Sequence, residues 1–198
     1  MLKKTGKGGT IFVPRKKRLW SPDHYHHVVM RGNNRQTIFL NVDDYDAFFR
    51  VLQYAYHKYT FSIVAYCIMS NHYHLLVRSP EVPLGKLMAV INWRYSNYFK
   101  KKYEYCGHLY ESRYFADLVP SQRDMLSVSR YIHRNPISTA PPIVDNMEDY
   151  PYSSYYHYKH NTPSVFPFLD TSILKYYISQ TSQSSLSYCR YCEVQQNE

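Results

Sequence analysis

The sequence predicts an α+β domain: a ferredoxin-like βαββαβ sheet with two helices on one face and one more helix added at its C-terminal end. Three observations carry this. Two long stretches repeat apolar residues every three or four positions, four shorter ones are β-rich, and turn residues separate them in the order strand, helix, strand, strand, helix, strand, helix.

Tyr25 to Arg31 suits a first strand, and Gly32, Asn33 and Asn34 turn the chain. Asn41 to Tyr59 reads as a helix, because Tyr45, Phe48, Phe49, Leu52, Tyr56 and Tyr59 form one apolar stripe. Phe61 to Ile68 and His72 to Ser79 are strands joined by the short link Met69-Ser70-Asn71, hence a hairpin. After Pro80 and Pro83, the spacing of Leu84, Leu87, Met88, Ile91, Tyr95, Tyr98 and Phe99 predicts a second amphipathic helix, closed by Lys100, Lys101 and Lys102. Ser112 to Val119 reads as the fourth strand. Ser121 and Asp124 then stand at capping-box spacing and open a helix running to about Arg134. Its expected core stripe is Met125, Val128 and Ile132, and Asn135-Pro136 ends it, since a residue before proline resists the α conformation. Residues 1–20 form a basic arm, residues 21–158 the domain and residues 159–198 an extension, with a short helix and a loose tail expected over residues 171–198.

The 198 residues carry a formal net charge of +9 and 23 tyrosines. A basic excess favours a polyanion, and abundant phenol rings favour base stacking, so single-stranded nucleic acid fits better than an anionic membrane. No run of eighteen apolar residues exists, which excludes a membrane-spanning helix, and the basic N-terminus lacks the apolar stretch of a signal peptide. A cytoplasmic location is the expectation. Cys67, Cys106, Cys189 and Cys192 do not make a disulfide framework in a chain this long. Cys189 and Cys192 are a lone C-x-x-C, which without a second pair does not define a metal or redox site.

His72-Tyr73-His74 is the sharpest local signal. On a strand, His72, His74, Leu76 and Arg78 share one face, while Tyr73, Leu75 and Val77 face the helices. Two imidazoles so spaced can chelate one divalent cation, or can simply be two of the chain's ten histidines. Tyr131 and Asn135 lie four apart on one helix face, at the edge of the core stripe. A phenol there can act as a nucleophile on a metal-polarised phosphate and Asn135 can supply a neutral third ligand; equally, the tyrosine can pack and the asparagine cap.

Four stretches carry a resemblance. They are Arg31-Gly32-Asn33-Asn34-Arg35, Ala65-Tyr66-Cys67-Ile68-Met69-Ser70-Asn71-His72-Tyr73-His74-Leu75-Leu76-Val77, Tyr131-Ile132-His133-Arg134-Asn135-Pro136 and Ser153-Ser154-Tyr155. Together and in this order they resemble the REP-associated tyrosine transposases, within the single-tyrosine HUH transposases, over about residues 22–158. The resemblance implies the HUH fold, with the added helix as the catalytic one. It also implies Tyr131 as nucleophile, and His72, His74 and Asn135 as ligands of Mg2+ or Mn2+. The implied substrate is single-stranded DNA beside a REP-like hairpin, cut and rejoined through a 5′-phosphotyrosine by a monomer or a homodimer. Arg31, Arg35, Arg113, Lys16, Lys17 and Arg18 are the candidate DNA contacts. Tyr110, Tyr114 and Trp93 are candidate stacking residues, with core packing the preferred expectation for Trp93. Two other readings stay open: a non-catalytic RRM-like nucleic-acid binder, which would not need Tyr131 and both histidines retained, and a metal-dependent phosphodiesterase in which water attacks.

Overall fold

The computed structural model describes residues 19–181 and 186–194. Four strands, β1 (Tyr25–Arg31), β2 (Ser62–Met69), β3 (His72–Arg78) and β4 (Phe115–Val119), form one antiparallel sheet in the order β2-β3-β1-β4. This is the strand order of the predicted split βαβ arrangement. Helices α1 (Val42–Lys58) and α2 (Leu84–Lys102) pack together on one face, over Val28, Met30, Tyr73, Leu75 and Val77. Helix α3 (Gln122–Arg134) lies on the other face, over Cys67, Met69 and Leu76. The two faces of β3 are therefore used as its alternation predicts.

The helix ends follow from local chemistry. Asn41 and Asp44 close a capping box on α1. The Asp44 carboxylate, buried, accepts from the Leu40 backbone N–H at 2.7 Å and pairs with Lys102 at 2.9 Å, tying the start of α1 to the end of α2. Ser121 accepts from the Asp124 backbone N–H at 3.1 Å at the start of α3. Asp124 does not complete the predicted box; its carboxylate accepts from the Ser121 hydroxyl instead of reaching the backbone.

Three expectations are corrected. The fourth strand begins at Phe115, not Ser112, because the chain first crosses the end of β1 through a single Gly32–Tyr110 bridge before it can pair along it. The buried stripe of α3 is Met125, Leu126, Ser129, Ile132 and His133, with Val128 only half-buried. That stripe is wider because α3 is covered on its outer side by α5 (Ser172–Ser179) and α6 (Tyr188–Glu193) as well as facing the sheet; a five-residue helix α4 (Tyr155–Lys159) completes the numbering. The C-terminal segment is thus not a loose tail where it is described. Tyr188 and Cys192 are core residues, and Arg130 and Arg134 of α3 donate to the carbonyls of Tyr191 and Cys192. The C-x-x-C packs a helix: Cys192 is fully buried and burial pushes its thiol up to about 12.

The open edge of β2 is covered. The backbone N–H of Ile68 donates to Tyr152 and that of Ile63 to Phe168, with bridges at Cys67–Ser153 and Ile63–Leu169. Covering removes the unpaired N–H and C=O groups that would otherwise recruit another strand.

Candidate active site

Sheet register gathers the first half of the site. Val29 and Arg31 of β1 stand opposite His74 and His72 of β3, so these four share the face that α3 covers. His27 belongs to the same face, opposite Leu76 on one side and Asp117 on the other. The His72 and His74 ring centroids are 4.9 Å apart and those of His27 and His74 are 5.2 Å apart.

Turn geometry holds the end of β1 against β3. Gly32 donates to the Asn71 carbonyl at 2.9 Å, and a Cβ there would stand 2.4 Å from the Gln36 carbonyl oxygen and 2.7 Å from Ile38 Cγ2. No other residue fits without displacing backbone. Asn34 and Arg35 take the left-handed conformation, φ 49° and 58°, to close the turn. Asn71 spans both parts. Its Nδ2 donates to the Arg35 carbonyl at 3.3 Å, and its Oδ1 is 2.6 Å from His72 Nδ1.

The second half comes from α3. Tyr131 is 55% exposed, and its ring stands edge-on to His74 at 5.5 Å and to His27 at 5.9 Å between centroids. Four residues on, Asn135 Nδ2 donates to the Tyr131 carbonyl at 2.9 Å, which leaves its amide oxygen as an acceptor, and the Asn135 side chain lies close to the His72 ring. Tyr131 and His74 open into a cleft of about 580 Å3 lined also by His27, Arg31, Arg113 and Phe115.

Both histidines of β3 are held neutral. Burial, with the Arg31 guanidinium close by, brings His72 down to about 4. Burial and the neighbouring His72, His27 and Arg31 bring His74 down to about 2. His74 Nδ1 lies 2.9 Å from His27 Nε2, while His74 Nε2 is buried with no hydrogen-bond partner. A buried unpartnered imidazole nitrogen is costly unless a lone pair there meets an electrophile. Among the described residues no three His, Cys, Asp or Glu side chains converge. The donor set on this face is two neutral imidazoles and the Asn135 amide oxygen.

Of the other sequence candidates, Arg31 and Arg113 line the cleft and are exposed, and Arg35 is exposed on the turn beside it. Lys16, Lys17 and Arg18 lie outside the described residues. Tyr114 is buried and Tyr110 half-buried, so neither offers an open ring face, whereas Trp93 is 64% exposed on the outer side of α2, away from the expected core.

Sequence reasoning gave no role to four residues, of which only His27 lies outside the stretches that carry the resemblance. His27 and Asn71 touch the two imidazoles directly. His133 and Ser154 anchor α3: the buried His133 places Nε2 2.8 Å from Ser154 Oγ and Nδ1 2.9 Å from the Tyr188 hydroxyl. Ser154 Oγ also accepts from the Tyr66 backbone N–H of β2 at 2.9 Å. Ser153-Ser154-Tyr155 therefore covers the edge of β2 and ties the tyrosine helix to the sheet. The signal for His133 was present, since it sits two residues past Tyr131 within residues 131–136, a stretch that carries the resemblance.

The model of the family described as "Transposase IS200 like" matches residues 21–135, which begins just before β1 and ends on Asn135. The chain belongs to the IS200-like transposase family. A Haemophilus influenzae relative, named as a REP-associated tyrosine transposase, is 28% identical over 110 residues, 50% of this chain and 61% of that protein. The match thus spans less than two thirds of that relative. A solved structure of a REP-associated tyrosine transposase bound to a REP hairpin superposes with a TM-score of 0.65 at 14% identity, covering 80% of this chain and 93% of the other. At that identity the likeness is one of fold, and it takes in most of this IS200-like chain. Among the described residues no helix is long and apolar enough to cross a membrane.

Proposed function

We propose that this IS200-like transposase cuts and rejoins single-stranded DNA beside a hairpin, with Tyr131 as the nucleophile and a divalent cation, Mg2+ or Mn2+, held by His72, His74 and Asn135. The observation that carries the reading is the exposed Tyr131 ring standing 5.5 Å from that of His74 inside an arginine-lined cleft. The cation fits the residues present: both imidazoles are neutral, His74 Nε2 lacks a partner, and the Asn135 oxygen is an available third donor. When bound, it supplies charge neutralisation of the scissile phosphate.

The remaining work falls to the chain. Arg31 and Arg113 seat the phosphate by charge-assisted hydrogen bonds. Tyr131, on a capped and anchored helix, presents its oxygen for in-line attack. A bond forms between that oxygen and phosphorus, the phenol proton passes to water, and the 3′-oxygen leaves and takes up a proton. The product is a 5′-phosphotyrosine, and attack by another 3′-hydroxyl reverses the step and joins strands. A hairpin substrate is supported by the relative of the same fold bound to a REP hairpin, and single-stranded flanks by the basic, tyrosine-rich composition.

The test is a denaturing gel of protein incubated with Mn2+ and hairpin DNA carrying single-stranded flanks. Wild type should give a cut strand and a covalent protein–DNA species that maps to Tyr131. Tyr131→Phe should bind the hairpin as before and give neither product. Adduct formed at near wild-type rate by Tyr131→Phe would refute the assignment, and cutting without any adduct would favour attack by water.

A further inference from the structure

We propose that His27 and Asn71 are positioning residues that fix which ring nitrogen His74 and His72 present to the cation. The inference rests on the metal reading above and extends it to two residues to which the sequence assigned no role. A neutral imidazole has one protonated nitrogen and one lone pair, and the hydrogen bond at one nitrogen decides which is which. In this chain the Nδ1 atoms of both rings are engaged, each by a different neighbour.

For His72 the assignment follows from the amide opposite it. Asn71 Nδ2 donates to the Arg35 carbonyl, so its oxygen is the atom turned to His72 Nδ1. An amide oxygen only accepts, so Nδ1 carries the proton and Nε2 keeps the lone pair. For His74 two possibilities exist. A proton on Nε2 would be a buried N–H with no acceptor, the costlier arrangement. A proton on Nδ1 is donated across 2.9 Å to His27 Nε2. The second arrangement leaves no buried donor stranded. It places the His27 proton on its remaining nitrogen, on the strand whose cross-strand neighbour at that position is Asp117. Both β3 histidines then offer Nε2, the same atom, from side chains two residues apart on one strand face. Partners of this kind, behind a ligand rather than on the metal, set ring orientation and basicity.

The arrangement has two independent readouts in the full chain. Long-range proton–nitrogen NMR of the metal-free protein should find His72 and His74 both as Nδ1–H tautomers; the Nε2–H form at either would overturn the proposal. Calorimetric titration with Mn2+ should show affinity about 10- to 100-fold weaker in His27→Phe, which keeps a ring without an acceptor, and in Asn71→Ala. His27→Gln and Asn71→Asp each keep an acceptor oxygen and should recover most of the loss. Equal weakening by His27→Phe and His27→Gln would mean a packing role and would also overturn it. The two readings part on His72→Ala. If that variant binds Mn2+ like wild type, the metal assignment itself fails. If it loses binding while His27→Phe and Asn71→Ala bind as wild type, only the positioning inference fails. Should a variant not fold, the tautomer measurement on wild type still decides.

Discussion

Replacing Ser154 by alanine removes one oxygen from a fully buried position, and the structure fixes what that oxygen holds. Its Oγ is 2.8 Å from His133 Nε2 and accepts from the Tyr66 backbone N–H at 2.9 Å, so the variant strands two polar groups where water has no access. Each buried group left unpaired costs about 1–3 kcal/mol, giving about 2–6 kcal/mol in all. That is a large share of the 5–15 kcal/mol that typically separates folded from unfolded states. Ser153→Ala is the internal control. Among the described residues its hydroxyl accepts only from the Tyr155 backbone N–H at 3.2 Å, so it strands one buried group instead of two and about 1–3 kcal/mol is expected. Urea denaturation followed by circular dichroism measures both, with the slope of the transition confirming that the same surface unfolds. Because His133 lies two residues past Tyr131, Ser154→Ala should also reduce strand cutting while hairpin affinity holds. A loss below about 1 kcal/mol, or one equal to that of Ser153→Ala, would show that the hydroxyl does not anchor α3.

Gly32→Ala should destabilise by about 1–3 kcal/mol, since φ of −61° suits any residue and the cost is purely the clash with Gln36 and Ile38; an unchanged urea midpoint would contradict this. Burial lowers His133 from its usual value to about 3, so the unfolded chain takes up that proton first. The stability that this contributes is complete above about pH 6.5 and is lost as pH falls toward 3, at about 1.4 kcal/mol per unit. His133→Gln should therefore show a shallower fall in stability between pH 6 and pH 4, and curves parallel to wild type would refute the linkage.

The sheet and its helices were legible because each element has a period of its own. The alternation through His72-Tyr73-His74 correctly put Tyr73 among the α1 and α2 side chains and the histidines on the opposite face. What was not legible depends on pairing between distant segments. His27 sits in a run of histidines and apolar residues that gives no hint which of His24, His26 and His27 matters. Only the β1–β3 register, with Val29 opposite His74, puts His27 on the site's face. Ser154 falls in a stretch that carries the family resemblance, yet its role cannot be read from sequence, since only the fold puts its oxygen between α3 and β2. The fourth strand was read too long because apolar content at Tyr114 looks the same whether the residue pairs in a ladder or packs beneath a crossing.

The architecture separates two requirements that the proposed tyrosine-dependent strand transfer would have to meet together. The imidazoles need a rigid base, and β3 provides it as a central strand paired on both sides. The proposed nucleophile needs exposure, yet a helix with an exposed tyrosine is free to drift unless something else holds it. α3 meets both demands by dividing its faces: Tyr131 points into the cleft while Ile132 and His133, the next two residues, are fully buried on the opposite side. His133 reaches the sheet through Ser154 and α6 through Tyr188. Arg130 and Arg134, one turn apart, grip the carbonyl end of α6, where the helix dipole favours positive charge. The segments after Asn135 are therefore not an appendage to the transposase core. They close over the outside of α3, and through it they hold Tyr131 over the histidines of its own chain. Moving that helix to another copy would require breaking the His133 hydrogen bonds and uncovering Leu174, Ile178 and Tyr188, all of which are buried.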